Sequence, residues 1–201
     1  MTEKLPKDQR VQTIISAAVE EFLLKGYRQT SIDAIALRAG ISKGGIYHHF
    51  HNKDEILLYA NQVFMAPIEI MFQELAESES KVDGLREFIR AYMEYWCKHS
   101  LELKFFFLSM NKAFEDPSLS RFYSEYFQQE LKFLTDIFSI AHAMQELNCP
   151  DCSMTAFSLI SAMDGSLAYH LMDTSLDVGK SIEAFQNLFV NSMVQKNENS
   201  L

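Results

Sequence analysis

The fold of this chain is decided by residues 30–50, which read TSIDAIALRAGISKGGIYHHF. Four apolar residues in this stretch share the spacing of one helical face: Ile32, Ile35, Ala36 and Ala39. They predict a short helix capped by Thr30 or Ser31, because a side-chain oxygen there can accept from the free N–H groups of the first turn. Gly40 ends this helix, since glycine adopts the left-handed conformation at little cost, and Ser42 caps the next helix. The stretch therefore predicts two short helices joined by a tight turn, a helix-turn-helix.

Two glycines, Gly44 and Gly45, open the second helix, although each costs up to about 1 kcal/mol relative to alanine inside a helix. One explanation is tolerance of a weak first turn. The alternative, which we favour, is that the missing side chains let the backbone approach phosphates and base edges closely. The neighbours Lys43, Tyr47 and His49 all carry hydrogen-bond donors, as a surface that binds DNA requires.

Residues 11–60 resemble the DNA-binding domain of the tetracycline-repressor (TetR) family of bacterial regulators. The matching segments are Ile14 to Phe22, Gly26-Tyr27, Thr30 to Ile32, Ile35-Ala36, Ala39 to Gly44, Ile46-Tyr47, His49-Phe50 and Lys53. The resemblance implies an all-α fold, in which a three-helix helix-turn-helix DNA-binding head (residues 1–55) precedes a helical ligand-binding and dimerisation domain (residues 56–201). About nine helices are expected in all. Beyond residue 60 the resemblance rests on length and helical pattern alone.

The same resemblance implies which residues contact double-stranded DNA. The start of the second helix would face the major groove, and its last turn would hold phosphates. Thr30 and Lys53 would hold the DNA backbone from the helices on either side, and Asn52 is placed to cap the helix that Lys53 begins. The expected DNA-binding residues are Thr30, Ser31, Ser42, Lys43, Gly44, Gly45, Tyr47, His48, His49 and Lys53.

Two other clusters could suggest metal or redox chemistry. His48, His49 and His51 lie close in sequence, but adjacent histidines on a helix point in different directions, and no cysteine or carboxylate set completes a ligand shell. Cys149 and Cys152 have C-x-x-C spacing at a predicted helix junction, so a redox pair or half of a zinc site stays open beside coincidence. We expect neither a cofactor nor a metal.

The charge of the chain divides unevenly along its length. The whole chain carries −9, yet residues 1–55 hold eight Lys/Arg against seven Asp/Glu, and the remaining residues hold ten against twenty. The acidic remainder should repel DNA, which leaves only the nearly neutral head able to approach it. We therefore expect binding to depend on two heads at once and to weaken steeply with salt.

Three features predict a cytoplasmic protein. The chain has no stretch of apolar residues long enough to span a membrane. Its polar N-terminus lacks the apolar segment of a signal peptide. The three cysteines, an odd number, suit a reducing compartment better than a secreted disulfide scaffold.

The rest of the chain reads as helices, because no sustained apolar–polar alternation marks a strand. The predicted helices outside the helix-turn-helix span residues 8–25, 53–77, 82–98, 101–115, 118–146, 152–172 and 178–195. Pro67 lies inside the second of these and should kink it. Asp116-Pro117 starts another, with Asp as the cap and Pro at the first helical position.

The segment 92–138 is rich in aromatic side chains, most of which ordinary core packing would explain. Those on inward-facing stripes could instead line a cavity for a largely apolar effector. Asp164, inside an apolar pattern, is a candidate polar contact; the alternative is a carboxylate on the surface or on a dimer face. The expected effector-binding residues are Tyr92, Trp96, Leu103, Phe107, Met110, Phe127, Met163 and Asp164.

By the resemblance, the last two predicted helices form the interface of a homodimer. Their apolar stripes are the candidate contacts: Ala156, Leu159, Ile160, Met163 and Leu167 on one, and Ile182, Phe185, Leu188, Phe189 and Met193 on the other. Small residues such as Gly165 would let two helices approach closely across a two-fold axis.

We therefore expect a ligand-responsive, DNA-binding transcriptional regulator, a repressor released from its operator by a small, largely apolar effector. The alternative is a helical small-molecule-binding protein without sequence-specific DNA binding. An enzyme is not expected, since the Glu-x-x-His pairs of di-iron helical proteins do not occur.

Overall fold

The computed structural model describes residues 7–195. The polar N-terminal segment, residues 1–8, in which no signal peptide is expected, lies outside the described residues except for Lys7 and Asp8. The described part contains nine α-helices and a closing 3-10 turn at Asn191–Met193. The helices are α1 (Lys7–Lys25), α2 (Ile32–Ala39), α3 (Lys43–Tyr47), α4 (Lys53–Glu77), α5 (Lys81–Lys98), α6 (Ser100–Ala113), α7 (Pro117–Ala143), α8 (Cys152–Met172) and α9 (Val178–Phe189). The predicted all-α fold is confirmed.

Local capping sets most helix boundaries. Ser31, rather than Thr30, caps α2 and accepts a hydrogen bond from the Ala34 N–H at 3.1 Å. Asp116 caps α7, as predicted, and accepts from the Ser118 N–H at 3.0 Å. α7 ends three residues before its predicted end, because Gln145 adopts a left-handed backbone with φ of 60°.

By packing, the described chain divides into two units. The first comprises the residues up to Ala66 together with Lys104–Arg121, and the second comprises Pro67–Leu103 together with the residues from Phe122 onward. α4, α6 and α7 each contribute residues to both units. The predicted division at residues 55 and 56 concerns function, and it stays a prediction.

The core of the first unit joins the helix-turn-helix to segments that are distant in sequence. Its largest fully buried members include Phe22, Ile14, Ile15, Ile35, Ile46, Ile56, Leu57 and Phe105. The Phe105 ring, from α6, lies 6.1 Å from the ring of Phe22 and 5.8 Å from that of Phe64. Part of α6 therefore completes the core on which α2 and α3 rest.

The core of the second unit corrects one expectation. The α8 stripe expected to contact a second subunit is Ala156, Leu159, Ile160, Met163 and Leu167, and all five residues are buried within the chain itself. The outward face of α8 is formed instead by residues that we call the outer stripe: Met154, Phe157, Ser161, Gly165, Ala168 and Met172. Sequence periodicity located the apolar face correctly but could not say which neighbour covers it. Between residues 7 and 195, no helix is both apolar and long enough to cross a bilayer.

Candidate functional site

The helix-turn-helix forms as its sequence predicts. Gly40 has φ of 67°, and its N–H donates to the Leu37 carbonyl at 3.3 Å, which closes the C-terminus of α2. Ser42 caps α3 by accepting from the Gly45 N–H at 3.1 Å. Ile35 and Ile46 are fully buried, so α2 and α3 are fixed against the same core. Residues 40–44 also match the G-x-S-x-G spacing of a hydrolase nucleophile, but that motif follows a strand, whereas this one follows a helix.

The outward surface of α3 is polar and largely exposed. Ser42, Lys43, Gly44, Tyr47 and His48 are exposed, and Gly45 and His49 are half-buried. A Cβ atom built on Gly44 would meet only the Ser42 hydroxyl, at 4.0 Å. Packing within the chain therefore does not require a glycine here, which favours the interpretation that the missing side chain permits close approach from outside.

Lys43 already has an intramolecular partner. Its Nζ lies 2.9 Å from Oδ2 of Asp33 on α2, and both side chains are exposed. The hydrogen bond to Asp33 raises the pKa of Lys43, so this residue carries its charge at neutral pH. An exposed pair of this kind is weak and exchanges readily with a competing anion.

Thr30 and Lys53, both expected to hold the DNA backbone, have internal partners. The Thr30 side chain is buried, and its hydroxyl is 3.0 Å from the Glu21 carbonyl oxygen and 2.9 Å from that of Gly26. Lys53 Nζ donates to the carbonyl oxygens of Tyr27 at 2.8 Å and of Thr30 at 3.1 Å. Both side chains thus fasten the segment that connects α1 to α2.

A network around Tyr27 was missed by sequence reasoning. Its hydroxyl donates to Asp54, and burial, followed by this hydrogen bond, raises the pKa of Tyr27. Lys112 Nζ lies 4.3 Å from the centre of the Tyr27 ring, 2.6 Å from Asp116 and 3.2 Å from Asp54. The Lys112 hydrogen bond lowers the pKa of Asp116 to about 2. The network joins α4, α6 and the α1–α2 connection within the first unit. Its partners are far apart in sequence, so no local sequence pattern predicts their pairing.

The histidine cluster has protein partners. The His48 and His49 rings meet edge to face, with 5.0 Å between their centres. His51 Nδ1 lies 3.0 Å from Glu55, which also accepts the His51 backbone N–H at 2.7 Å. Asn52 caps α4, as expected, by accepting from the Glu55 N–H at 2.8 Å. Within residues 7–195, no group of three histidine, cysteine or acidic side chains could hold a metal ion.

The second unit contains a cavity of about 420 Å³ between α7 and α8. Its lining residues are Ser124, Phe127, Gln128, Glu130, Leu131, Phe157, Ile160, Ser161 and Asp164. Two of the eight expected effector-binding residues, Phe127 and Asp164, are among them. Tyr92 reaches this site indirectly, because its hydroxyl donates to Oδ1 of Asp164 at 2.8 Å. The volume and the apolar walls are those of a small-molecule site.

The other five expected effector-binding residues do not line this cavity. Trp96, Leu103 and Met163 are buried in the core of the second unit. Phe107 and Met110 lie on the part of α6 that belongs to the first unit, and both are half-buried. For these five residues, contact with an effector stays a prediction.

Glu130 is one of the cavity residues that sequence reasoning missed. It is only 3% exposed, and its Oε1 has no hydrogen-bond partner. Burial, followed by the nearby charge of Asp164, raises the pKa of Glu130 well above its usual range. Burial also raises the pKa of Asp164, to about 6, although the Tyr92 hydrogen bond opposes the shift. Glu130 faces inward on α7, but nothing in the local sequence separates it from its exposed acidic neighbours.

Cys149 is buried and Cys152 half-buried, and both are free thiols. Burial raises the pKa of the Cys149 thiol to about 11, which keeps it protonated and weakly reactive at neutral pH.

Comparison with known proteins finds transcriptional regulators whose helix-turn-helix segment is similar to that of this chain. Residues 14–60 match the profile of the family described as bacterial regulatory proteins, tetR family. The chain is 44% identical to the HTH-type transcriptional activator FasR of Mycolicibacterium smegmatis over 55 residues. This aligned segment covers 27% of this chain and 25% of FasR. The chain is 36% identical over 87 residues to the HTH-type transcriptional regulator TtgR of Pseudomonas putida, 42% of this chain and 39% of TtgR. The matches thus span a quarter to two fifths of these relatives.

Solved structures are similar over nearly the whole chain. The complex of SmeT with triclosan superimposes with a TM-score of 0.80 at 19% identity, covering 94% of this chain and 93% of SmeT. The fatty acid degradation regulator FadR from Bacillus halodurans gives 0.73 at 19% identity, covering 94% and 97%. At these identities the similarity establishes the fold.

Proposed function

We propose that the chain, whose residues 14–60 match the profile of the tetR family of bacterial regulatory proteins, is a DNA-binding transcriptional regulator whose operator affinity depends on a bound small molecule. The observation that carries the proposal is the capped α3 helix, which presents an exposed surface of donors and a bare Gly44 backbone. The cavity of the second unit supplies a site for the small molecule.

The proposed DNA contacts divide by role. Lys43 and Gly44 stand at the start of α3, where side chains and backbone of a recognition helix read base edges in the major groove. Tyr47, at the end of α3, and His49, in the turn that follows it, would hold phosphates, which fixes the register of the protein on the duplex. On approach to DNA, Lys43 would exchange Asp33 for a base or phosphate. Thr30 and Lys53 would act through the positions of α1, α2 and α4.

We further propose a homodimer that pairs through α8 and α9. The outer stripe of α8 exposes large apolar side chains at its ends, with Met154 54% and Met172 86% exposed, and small residues at its centre. Leu188, on α9, is 65% exposed. Exposed apolar residues aligned along one helix are typical of an interaction surface, and small central residues allow two helices to cross closely. Two-fold symmetry would present two α3 helices to successive major grooves.

Control by the effector would use the helices that belong to both units. α4, α6 and α7 each extend from the unit that holds the cavity walls into the unit that holds the helix-turn-helix. An effector weakens operator binding only if it binds the DNA-incompetent state more tightly. SmeT, whose fold is similar, forms a complex with triclosan, which supports a small molecule as the effector of a repressor. A regulator of this kind would act in the cytoplasm, where bacterial DNA lies.

The experiment that tests this proposal is selection of binding sites from random duplex DNA by the purified full chain. Fluorescence anisotropy with the selected site and a scrambled site then gives both affinities at a fixed salt concentration. We expect at least about a thousandfold preference for the selected site. Equal affinities would overturn the regulator and favour a helical small-molecule-binding protein without sequence-specific DNA binding.

A further inference from the structure

The cavity of the second unit contains two carboxyl groups for which residues 7–195 supply no cation. Glu130, on α7, is 3% exposed with an unpartnered Oε1, and Asp164, on α8, is bonded through Oδ1 to the Tyr92 hydroxyl. Of the ion pairs formed between residues 7 and 195, none includes either carboxyl group. An acidic side chain buried without a partner is destabilising, so its presence in a cavity wall points to a role outside the folding of the chain.

The remaining walls suit the body of an amphiphilic molecule. Phe127, Leu131, Phe157 and Ile160 form the apolar part of the lining. Aromatic rings contribute apolar surface and also attract cations to their faces. Carboxyl groups combined with aromatic walls favour an apolar molecule that carries a positive charge. A fatty acid would bring a third carboxylate into the same apolar space.

We propose that the effector is an organic cation, an amphiphilic amine or quaternary ammonium compound whose positive group pairs with Glu130 and Asp164. This inference rests on the proposed function and narrows the effector from largely apolar to apolar and cationic. The charged group of the ligand would supply the partner that Oε1 of Glu130 lacks.

Binding of such a cation is coupled to release of a proton. Four titratable groups from three further helices and from α7 itself act on the site: Asp164 of α8, Tyr92 of α5, Tyr126 of α7 and Glu69 of α4. None of these groups is a cation, and burial together with the charge of Asp164 favours the protonated form of Glu130 in the absence of a ligand. A cation favours the ionised form, so it expels the proton and its affinity rises with pH.

The test uses three probes that share one carbon skeleton: 4-phenylbutylamine, 4-phenylbutanol and 4-phenylbutanoate. Isothermal titration calorimetry of the full-length protein at pH 6 and pH 8, in two buffers of different ionisation enthalpy, gives affinity and protons released. We expect the amine to bind at least about tenfold more tightly than the alcohol, and the carboxylate to bind most weakly. Of the three probes, only the amine should release protons when it binds. The amine should also bind more tightly at pH 8 than at pH 6.

Two variants on α7 localise the effect. Glu130→Gln should abolish the preference for the amine and its proton release, whereas Glu125→Gln, the same change at an exposed position of the same helix, should keep both. If Glu130→Gln does not fold by circular dichroism, Asp164→Asn serves instead, with a smaller loss of preference. Tighter binding of the alcohol or carboxylate, no binding of the amine at millimolar concentration, or an unchanged preference in these cavity variants overturns the inference.

DNA binding, measured separately by anisotropy, keeps the two proposals distinguishable. If the amine does not bind but the protein still prefers its selected DNA site, only the proposal of a cationic effector is overturned. If the amine binds but the protein has no preference among DNA sites, only the proposed regulator function is overturned.

Discussion

Lys53 Nζ donates a hydrogen bond of 2.8 Å to the carbonyl oxygen of Tyr27 and lies 4.3 Å from the centre of the Tyr27 ring. The same ammonium reaches the Thr30 carbonyl oxygen at 3.1 Å, and burial lowers its pKa. A side chain expected to hold a phosphate thus holds the connection between α1 and α2. We therefore predict that Lys53 acts on DNA binding mainly through the position of the helix-turn-helix.

Lys53→Ala should destabilise the protein by about 1–3 kcal/mol, because it removes a charged donor from partly buried carbonyl oxygens. Urea unfolding, followed by circular dichroism, measures the effect. Lys104→Ala, at an exposed position of α6, should stay within about 0.5 kcal/mol of the parent protein. If Lys53→Ala keeps full stability while binding all DNA sequences more weakly, the phosphate contact implied by the resemblance is correct.

Lys43→Ala should alter sequence preference without changing stability. Its exposed pair with Asp33 contributes little to folding, whereas a lysine at the start of a recognition helix discriminates between bases. Anisotropy with the selected site and its single-base variants should show the preference at one or two positions relaxed by about tenfold. Tyr47→Ala, by contrast, should weaken binding to all sites equally. A uniform loss in Lys43→Ala would assign this residue to phosphate instead.

Gly165→Leu should dissociate the proposed dimer while leaving the subunit folded. A Cβ atom at this position meets nothing within 4 Å in the chain, and leucine favours a helix over glycine by up to about 1 kcal/mol. Sedimentation equilibrium should therefore give a weakened dimer, and circular dichroism an unchanged helical content. Gln129→Leu, an exposed position on α7, is the matched control and should stay dimeric. A fully dimeric Gly165→Leu protein would place the interface elsewhere.

Asp164 should make the protein less stable as pH rises. Its pKa is about 6 in the folded chain, above the ordinary value of 3.8, so between these values the folded state binds the extra proton. Stability therefore falls as pH rises from about 4 to 6, by about 1–3 kcal/mol for this group. Asp164→Asn should remove the loss, so its advantage in urea midpoint over the parent should be larger at pH 7.5 than at pH 4.5. Identical pH profiles for the two proteins would contradict this prediction.

The amino-acid sequence alone determined the features that depend on neighbours three or four positions apart. Gly40 in the left-handed conformation, Ser42 over the Gly45 N–H and Asp116 before Pro117 are all local contacts. A cap or a turn satisfies backbone groups of its own segment, so its signal is written in consecutive residues. The helix-turn-helix and the helical class follow from such signals.

Only the tertiary structure decided which helical face is covered and which charge finds a partner. The Lys53 ammonium meets carbonyl oxygens more than twenty residues away, and Tyr92 meets Asp164 seventy-two residues away. Periodicity located the apolar stripe of α8 but could not show that the chain itself buries this stripe. The outer stripe, on the opposite face of α8, is therefore the face that we propose for contact with a second subunit. Likewise, only the packing of α7 shows that Glu130 is buried, whereas the acidic residues near it in the sequence are exposed. Burial and pairing depend on the path of the whole chain, because they are set by residues that the sequence keeps far apart.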